Sequence, residues 1–87
     1  MSTAAPDKLL NAKQAAQQAV EYLDELIPCR GQRLEEVELD DDDRHWMITL
    51  SFFPYEDSGT SFGMREYRTF KVDGATGRVR SMKIRTL

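Results

Sequence analysis

An α+β domain, one N-terminal helix packed on a single antiparallel sheet of about four strands in the order α-β-β-β-β, is the fold class this sequence predicts. Three observations predict it. Residues 8–27 contain no Gly or Pro and are rich in Ala, Gln, Leu and Glu, all good helix formers. Trp46, Ile48, Leu50 and Phe52 alternate with Met47, Thr49, Ser51 and Phe53, the period of two that a strand with one buried face requires. Asp73-Gly74-Ala75-Thr76-Gly77 separates two further strand-like runs, as a hairpin turn would. With 87 residues, the chain has room for one domain over 1–87.

The elements follow in order. Residues 1–6 are expected to lack regular structure. Asp7 offers a carboxylate oxygen to the free amides of a first helical turn, so the helix is placed over 8–27. Its apolar residues Leu9, Ala12, Ala16, Ala19, Val20, Leu23 and Ile27 fall into one stripe at spacings of three and four. The opposite side carries Lys13, Gln14, Gln17, Gln18, Glu21 and Asp24. Pro28 restricts Ile27 and ends the helix, and Gly31 is assigned to the turn that follows. Leu34, Val37 and Leu39 mark a first strand over about 33–39, and the acidic run 40–43 a solvated turn. The alternating run at 46–53 is the second strand, with its Trp46 set facing the helix. Residues 54–63 read as a long, mobile loop. A third strand covers about 64–72, and a fourth about 78–86. Val79, Met82 and Ile84 break strict alternation in the last, which points to a β-bulge.

On three of these stretches the chain resembles the PepSY-like family of small helix-plus-sheet domains. They are Ala15-Ala16-Gln17-Gln18-Ala19-Val20, Trp46-Met47-Ile48-Thr49-Leu50, and Tyr67-Arg68-Thr69-Phe70-Lys71-Val72-Asp73-Gly74-Ala75-Thr76-Gly77-Arg78-Val79. The resemblance covers most of the chain and implies the same fold. It also implies a regulatory or inhibitory protein-binding role, which in that family is usually exerted outside the cytoplasm. A similar strand layout occurs in gas vesicle accessory proteins.

Composition narrows the setting. The chain is 40% hydrophobic and 31% charged, too apolar for disorder and too charged for a membrane span. One cysteine, Cys29, allows no intrachain disulfide, and the first residues show neither a basic segment nor an apolar one of the kind a signal peptide has. A soluble protein of the reducing cytoplasm is the expectation. The net charge of −3 hides an asymmetry: residues 1–63 hold 5 Lys/Arg against 13 Asp/Glu, and residues 64–87 hold 7 against 2. Such halves attract each other within one fold or present separate faces to partners.

No motif calls for catalysis, a cofactor or a metal. His45 is the only histidine and Cys29 the only cysteine, and neither sits in a nucleophile–base pattern. Cys29 follows a helix end, where the helix dipole disfavours a thiolate, so a small buried apolar side chain is expected. His45 is read as a polar strand residue pairing with Asp43 or a neighbour. Asp40, Asp41, Asp42 and Asp43 invite a calcium reading, yet an EF-hand loop counted from Asp40 needs Gly at 45 and Glu at 51, where His45 and Ser51 stand. The glycines at 59, 63, 74 and 77 match neither a P-loop nor a dinucleotide fingerprint. Glu35 and Glu38 are ordinary carboxylates of an acidic strand.

Two surfaces are candidates for contact. Met47, Phe53, Tyr55 and Phe62 do not belong to the helix-facing set and are expected on the outer sheet face and its loop, as an apolar patch that binds a protein partner or a second copy. Arg65, Arg68, Lys71, Arg78, Arg80, Lys83 and Arg85 lie in two neighbouring strands with Tyr67 between them, a basic patch able to meet nucleic-acid phosphates and stack a base. The overall negative charge, the sequence pI near 5.1 and the lack of the RNA-recognition signature around Arg65 argue against nucleic acid. The sequence therefore favours a non-enzymatic protein-interaction or regulatory module. An accessory protein of nucleic acid is the alternative, and an enzyme the last choice.

Overall fold

The computed structural model describes residues 9–55 and 64–86. Expectations for residues 1–6, for Asp7 and for positions 56–63, including Phe62, fall outside those residues. Helix α1 (Ala12–Leu26) is followed by strands β1 (Cys29–Leu39), β2 (His45–Pro54), β3 (Glu66–Asp73) and β4 (Val79–Ile84). The four strands form one antiparallel meander in the order β1-β2-β3-β4. The fold is the expected α-β-β-β-β arrangement.

Local chemistry sets the helix ends. Asn11, four residues beyond Asp7, is the N-cap. Its side chain accepts from the Gln14 amide at 2.8 Å, and the Gln14 side chain accepts from the Asn11 amide at 2.9 Å, a reciprocal capping box. The helix start at 8 is thus corrected to Ala12. Leu9 and Leu10 are held outside the helix, because the Leu10 amide donates to the Gly74 carbonyl and its carbonyl accepts from Trp46 Nε1 at 2.9 Å. These tertiary bonds occupy groups that a helix would need. Pro28, lacking an amide, ends the helix as expected, and Ile27 caps it with an N–H to the Leu23 carbonyl.

The stripe is rotated from its expected setting. Ala15, Ala19 and Leu23 are the fully buried helix positions, with Tyr22 edge-on to Phe70 at 6.2 Å between ring centroids. Ala12, Ala16 and Val20 are only half-buried. The alanines let the helix lie close to Ile48, Leu50, Phe52, Phe70 and Val72, which complete the core. Trp46, expected in the buried set, is half-buried and packs at its margin. Each large core side chain contributes about 1.5–3 kcal/mol by leaving water.

Strand β1 begins at Cys29 rather than 33, and Gly31 lies within it instead of forming a turn. Gly31 has φ +69°, where a side chain would be strained, and the β1–β2 register shifts between Arg30 and Arg33 and again between Leu34 and Glu36. The ladder gains its extra length from Pro54, paired with Cys29, and from the Tyr55 amide, which donates to the Pro28 carbonyl. Strand β3 begins at Glu66 rather than 64, and β4 spans 79–84 rather than 78–86. The expected bulge in β4 is present opposite Lys71 and Val72.

Candidate functional site

The register sorts every strand residue onto one of two sheet faces. Ile48, Leu50 and Phe52 face the helix, so Met47, Thr49, Ser51 and Phe53 face outward. Their cross-strand partners extend the outer face to Arg30, Arg33, Glu36 and Glu38 on β1, Tyr67, Thr69 and Lys71 on β3, and Ser81 and Lys83 on β4. Strand β1 brings both signs to this face, Arg30 and Arg33 beside Glu36 and Glu38, whereas β3 and β4 bring only the bases Lys71 and Lys83.

That outer face is covered by the chain's own charged side chains. Ser51 is 0% exposed and Thr49 3%, although both point away from the helix. Arg65 donates to Ser51 Oγ at 2.9 Å and to the Gly31 carbonyl at 2.8 Å, while Ser51 Oγ donates to Glu35 at 2.6 Å. Arg85 lies across the face, bonded to Glu36 and to Thr49 Oγ1, which itself bonds Thr69. The Arg85 hydrogen bond, with its charge, holds the Glu36 carboxyl below the usual range, and Glu36 raises Arg85 in return. Phe53 is half-buried beneath two guanidiniums, Arg65 at 4.3 Å and Arg30 at 5.4 Å from its centroid. Met47 is half-buried, and Tyr55, 61% exposed, has Arg30 at 5.9 Å. Three of the four expected contact residues are therefore on or beside this face, partly roofed by arginine.

The basic residues do not form one surface. Arg68 is opposite Leu50 on the helix side, over the Phe52 ring at 5.3 Å and bonded to Glu66 at 2.8 Å. Lys71 and Lys83 are on the outer face, Lys71 being 3.8 Å from Asp40. Arg78 follows the β3–β4 turn and Arg80 sits at the β4 bulge, both exposed. Attraction across the sheet, as between Arg85 beyond β4 and Glu36 of β1, uses part of this charge internally.

The polar residues singled out for chemistry stand apart. Cys29 pairs with Pro54 at one end of β2 and His45 starts the other, about 30 Å of extended strand away. Burial, aided by Asp24, pushes the Cys29 thiol up, against thiolate formation. His45 Nδ1 lies 2.8 Å from Asp42 Oδ2. Asp42 Oδ1 accepts from the Arg44 and His45 amides, and the first of these bonds leads in holding its carboxyl below the usual range. The acidic turn thus directs oxygens onto its own backbone. Among the described residues, no group of three or more His, Cys, Asp and Glu side chains is placed to hold a metal ion.

A surface that sequence reasoning missed lies on the opposite face. Leu34, Val37 and Leu39 of β1 pair with Leu50, Ile48 and Trp46, so they share the helix side of the sheet. The helix sits over the centre of the sheet and leaves them open: Leu34 is 47% exposed, Val37 and Leu39 37% each. Between β1 and the helix runs a groove of about 660 Å³, walled by Ala12, Ala16 and Val20 on one side and by Leu34 and Val37 on the other, with Lys13, Gln17 and Glu21 at its rim. The only sequence signal was that Ala12, Ala16 and Val20 belong to an apolar stripe wider than one line of contact. Which line would meet the sheet was not encoded in the spacing.

Compared with protein families, with characterised proteins and with solved structures, the chain shows no significant match. The resemblance to PepSY-like domains rests on the residues that suggested it. Among the described residues, no helix is long and apolar enough to cross a membrane.

Proposed function

We propose that this chain is a non-enzymatic protein-interaction module whose contact surface is the groove between α1 and β1. The observation that carries the reading is the run of large apolar side chains, Leu34, Val37 and Leu39, left uncovered beside Ala12, Ala16 and Val20. Apolar side chains grouped in a concavity with a charged rim are the pattern of a contact site, whereas single exposed ones are ordinary. The outer face, where Met47 and Phe53 stand, is the second surface, and its arginine cover makes it the weaker candidate. Nucleic-acid binding through the basic strands is less favoured still, because the bases are split between two faces. The single thiol suits a reducing compartment, and the cytoplasm is its proposed location.

Substitution separates the two surfaces. Tagged wild type, Val37→Lys and Met47→Ser, each shown by circular dichroism to be folded, are recovered from native cells with bound proteins identified by mass spectrometry. Loss of a specific partner by Val37→Lys, with retention by Met47→Ser, is the expected result. The reverse pattern would transfer the contact to the outer face.

A further inference from the structure

Strand β1 is an edge of the sheet, eleven residues long, and its charges are divided by position. Arg30 and Arg33 lie in its first half, and Glu35, Glu36 and Glu38 in its second. Leu34 stands between them, on the open groove. We infer that the occupant of the groove is a second copy of this chain, paired antiparallel through β1 about a two-fold axis at Leu34. The inference rests on the proposal that the groove is a contact surface, and it names the partner.

Charge complementarity carries it. An antiparallel pair centred on Leu34 sets Arg33 opposite Glu35 of the second copy and Arg30 opposite Glu38 of the second copy, with each contact made twice. A parallel pair in register sets arginine against arginine and glutamate against glutamate, which is repulsive. The sequence of the strand is therefore complementary to itself in one direction only. The same axis brings Leu34 of both copies together on the helix side and lays the two grooves beside each other. Leu34, Val37 and Val20 of each copy then line one apolar trough between two helices. The contact is isologous, so it closes at two copies and joins two four-stranded sheets into one of eight strands. Two features of β1 work in the opposite direction. Breaks in register and exposed charges are also the means by which an edge strand avoids pairing.

Sedimentation equilibrium on the full chain decides between these roles. Wild type is expected to be a dimer at micromolar concentration. Arg30→Glu is expected to weaken association about tenfold, since it replaces two attractive cross-strand pairs by two repulsive ones. Adding Glu38→Arg to Arg30→Glu is expected to restore most of that loss, because the pairs are rebuilt with their signs exchanged. Recovery by the double variant is a result that misfolding does not produce. Val37→Lys is expected to be a folded monomer. A wild type that stays monomeric at about 100 μM, well above a micromolar dissociation constant, overturns the inference and assigns the breaks and charges to edge protection. A dimer indifferent to Arg30→Glu overturns the register. If wild type is monomeric while Val37→Lys loses a different bound protein, self-pairing fails and the groove remains the contact surface. If Val37→Lys keeps every partner as well, both readings fail.

Discussion

Asp73 shows how one side chain organises a turn and ties it to pH. One of its oxygens accepts from the Ala75 amide at 2.8 Å and the Thr76 amide at 3.0 Å, and its own amide and carbonyl bond Arg78 and Gly77. Gly77, at φ +80°, supplies the backbone conformation that closes the hairpin. The Thr76 bond, then the Ala75 bond, hold the Asp73 carboxyl below its usual range, because both favour the charged form. A carboxyl depressed in the folded state contributes stability that is fully present above its unfolded pKa of about 3.9, and loses it as pH falls through the folded value. Asp73→Ala is therefore expected to be less stable than wild type at pH 7, with the gap narrowing progressively below about pH 4. Urea denaturation across pH 2–7, a range spanning the ordinary carboxylate pKa, checks this; a gap unchanged at the acid end would show that the carboxylate charge has no part in the turn. The turn and its glycine were legible in the sequence because Asp-Gly and Thr-Gly act within five residues.

At the scale of elements, the helix is the instructive case. Asp7 and Asn11 both precede an Ala- and Gln-rich run, and both are good caps. Only Asn11 stands three residues before a glutamine whose side chain returns to the cap amide, as Gln14 does. Asn11→Ala is expected to cost about 1 kcal/mol, the ordinary value of an N-cap, and to lower the urea midpoint accordingly. A midpoint equal to wild type would mean that the helix start is held by the Leu10 bonds to Gly74 and Trp46 alone. The true start of the first strand is hidden in the sequence for a related reason. Gly31 looks like a breaker in isolation, yet in the sheet its positive φ takes up an irregularity while pairing continues to Cys29.

At the scale of the molecule, the described residues share one core, and stability is concentrated there. Leu23 and Leu50 are fully buried on opposite sides of the helix–sheet contact. Truncating either to alanine is expected to cost about 2–5 kcal/mol, on a domain whose total is about 5–15 kcal/mol. Leu34→Ala, on the open groove, is expected to change the stability of the monomer, measured below the concentration at which copies pair, by no more than about 0.5 kcal/mol, as for other surface substitutions. Urea midpoints of the three variants test the arrangement. Similar losses for Leu23→Ala and Leu34→Ala would mean that the groove is closed in the folded chain.

What the sequence determined by itself was local or periodic. An unbroken run of helix formers, a strict alternation at 46–53 and a glycine-bearing turn each act within a few residues, and together they dictate helix, strand faces and hairpin. The tertiary structure decided matters that depend on residues far apart in the chain. Bonds across the fold hold Leu10 out of the helix; close packing on Phe70 and Leu50 chooses Ala15, Ala19 and Leu23 as the buried line. That choice leaves Ala12, Ala16 and Val20 to face Leu34 and Val37 across an open groove. Arg65 and Arg85, 14 and 36 residues from the Ser51 and Thr49 they cover, turn an expected bare face into a charged one. Spacing along a chain carries no information about such contacts, because it is the docking of helix on sheet, and of strand on strand, that brings those atoms together.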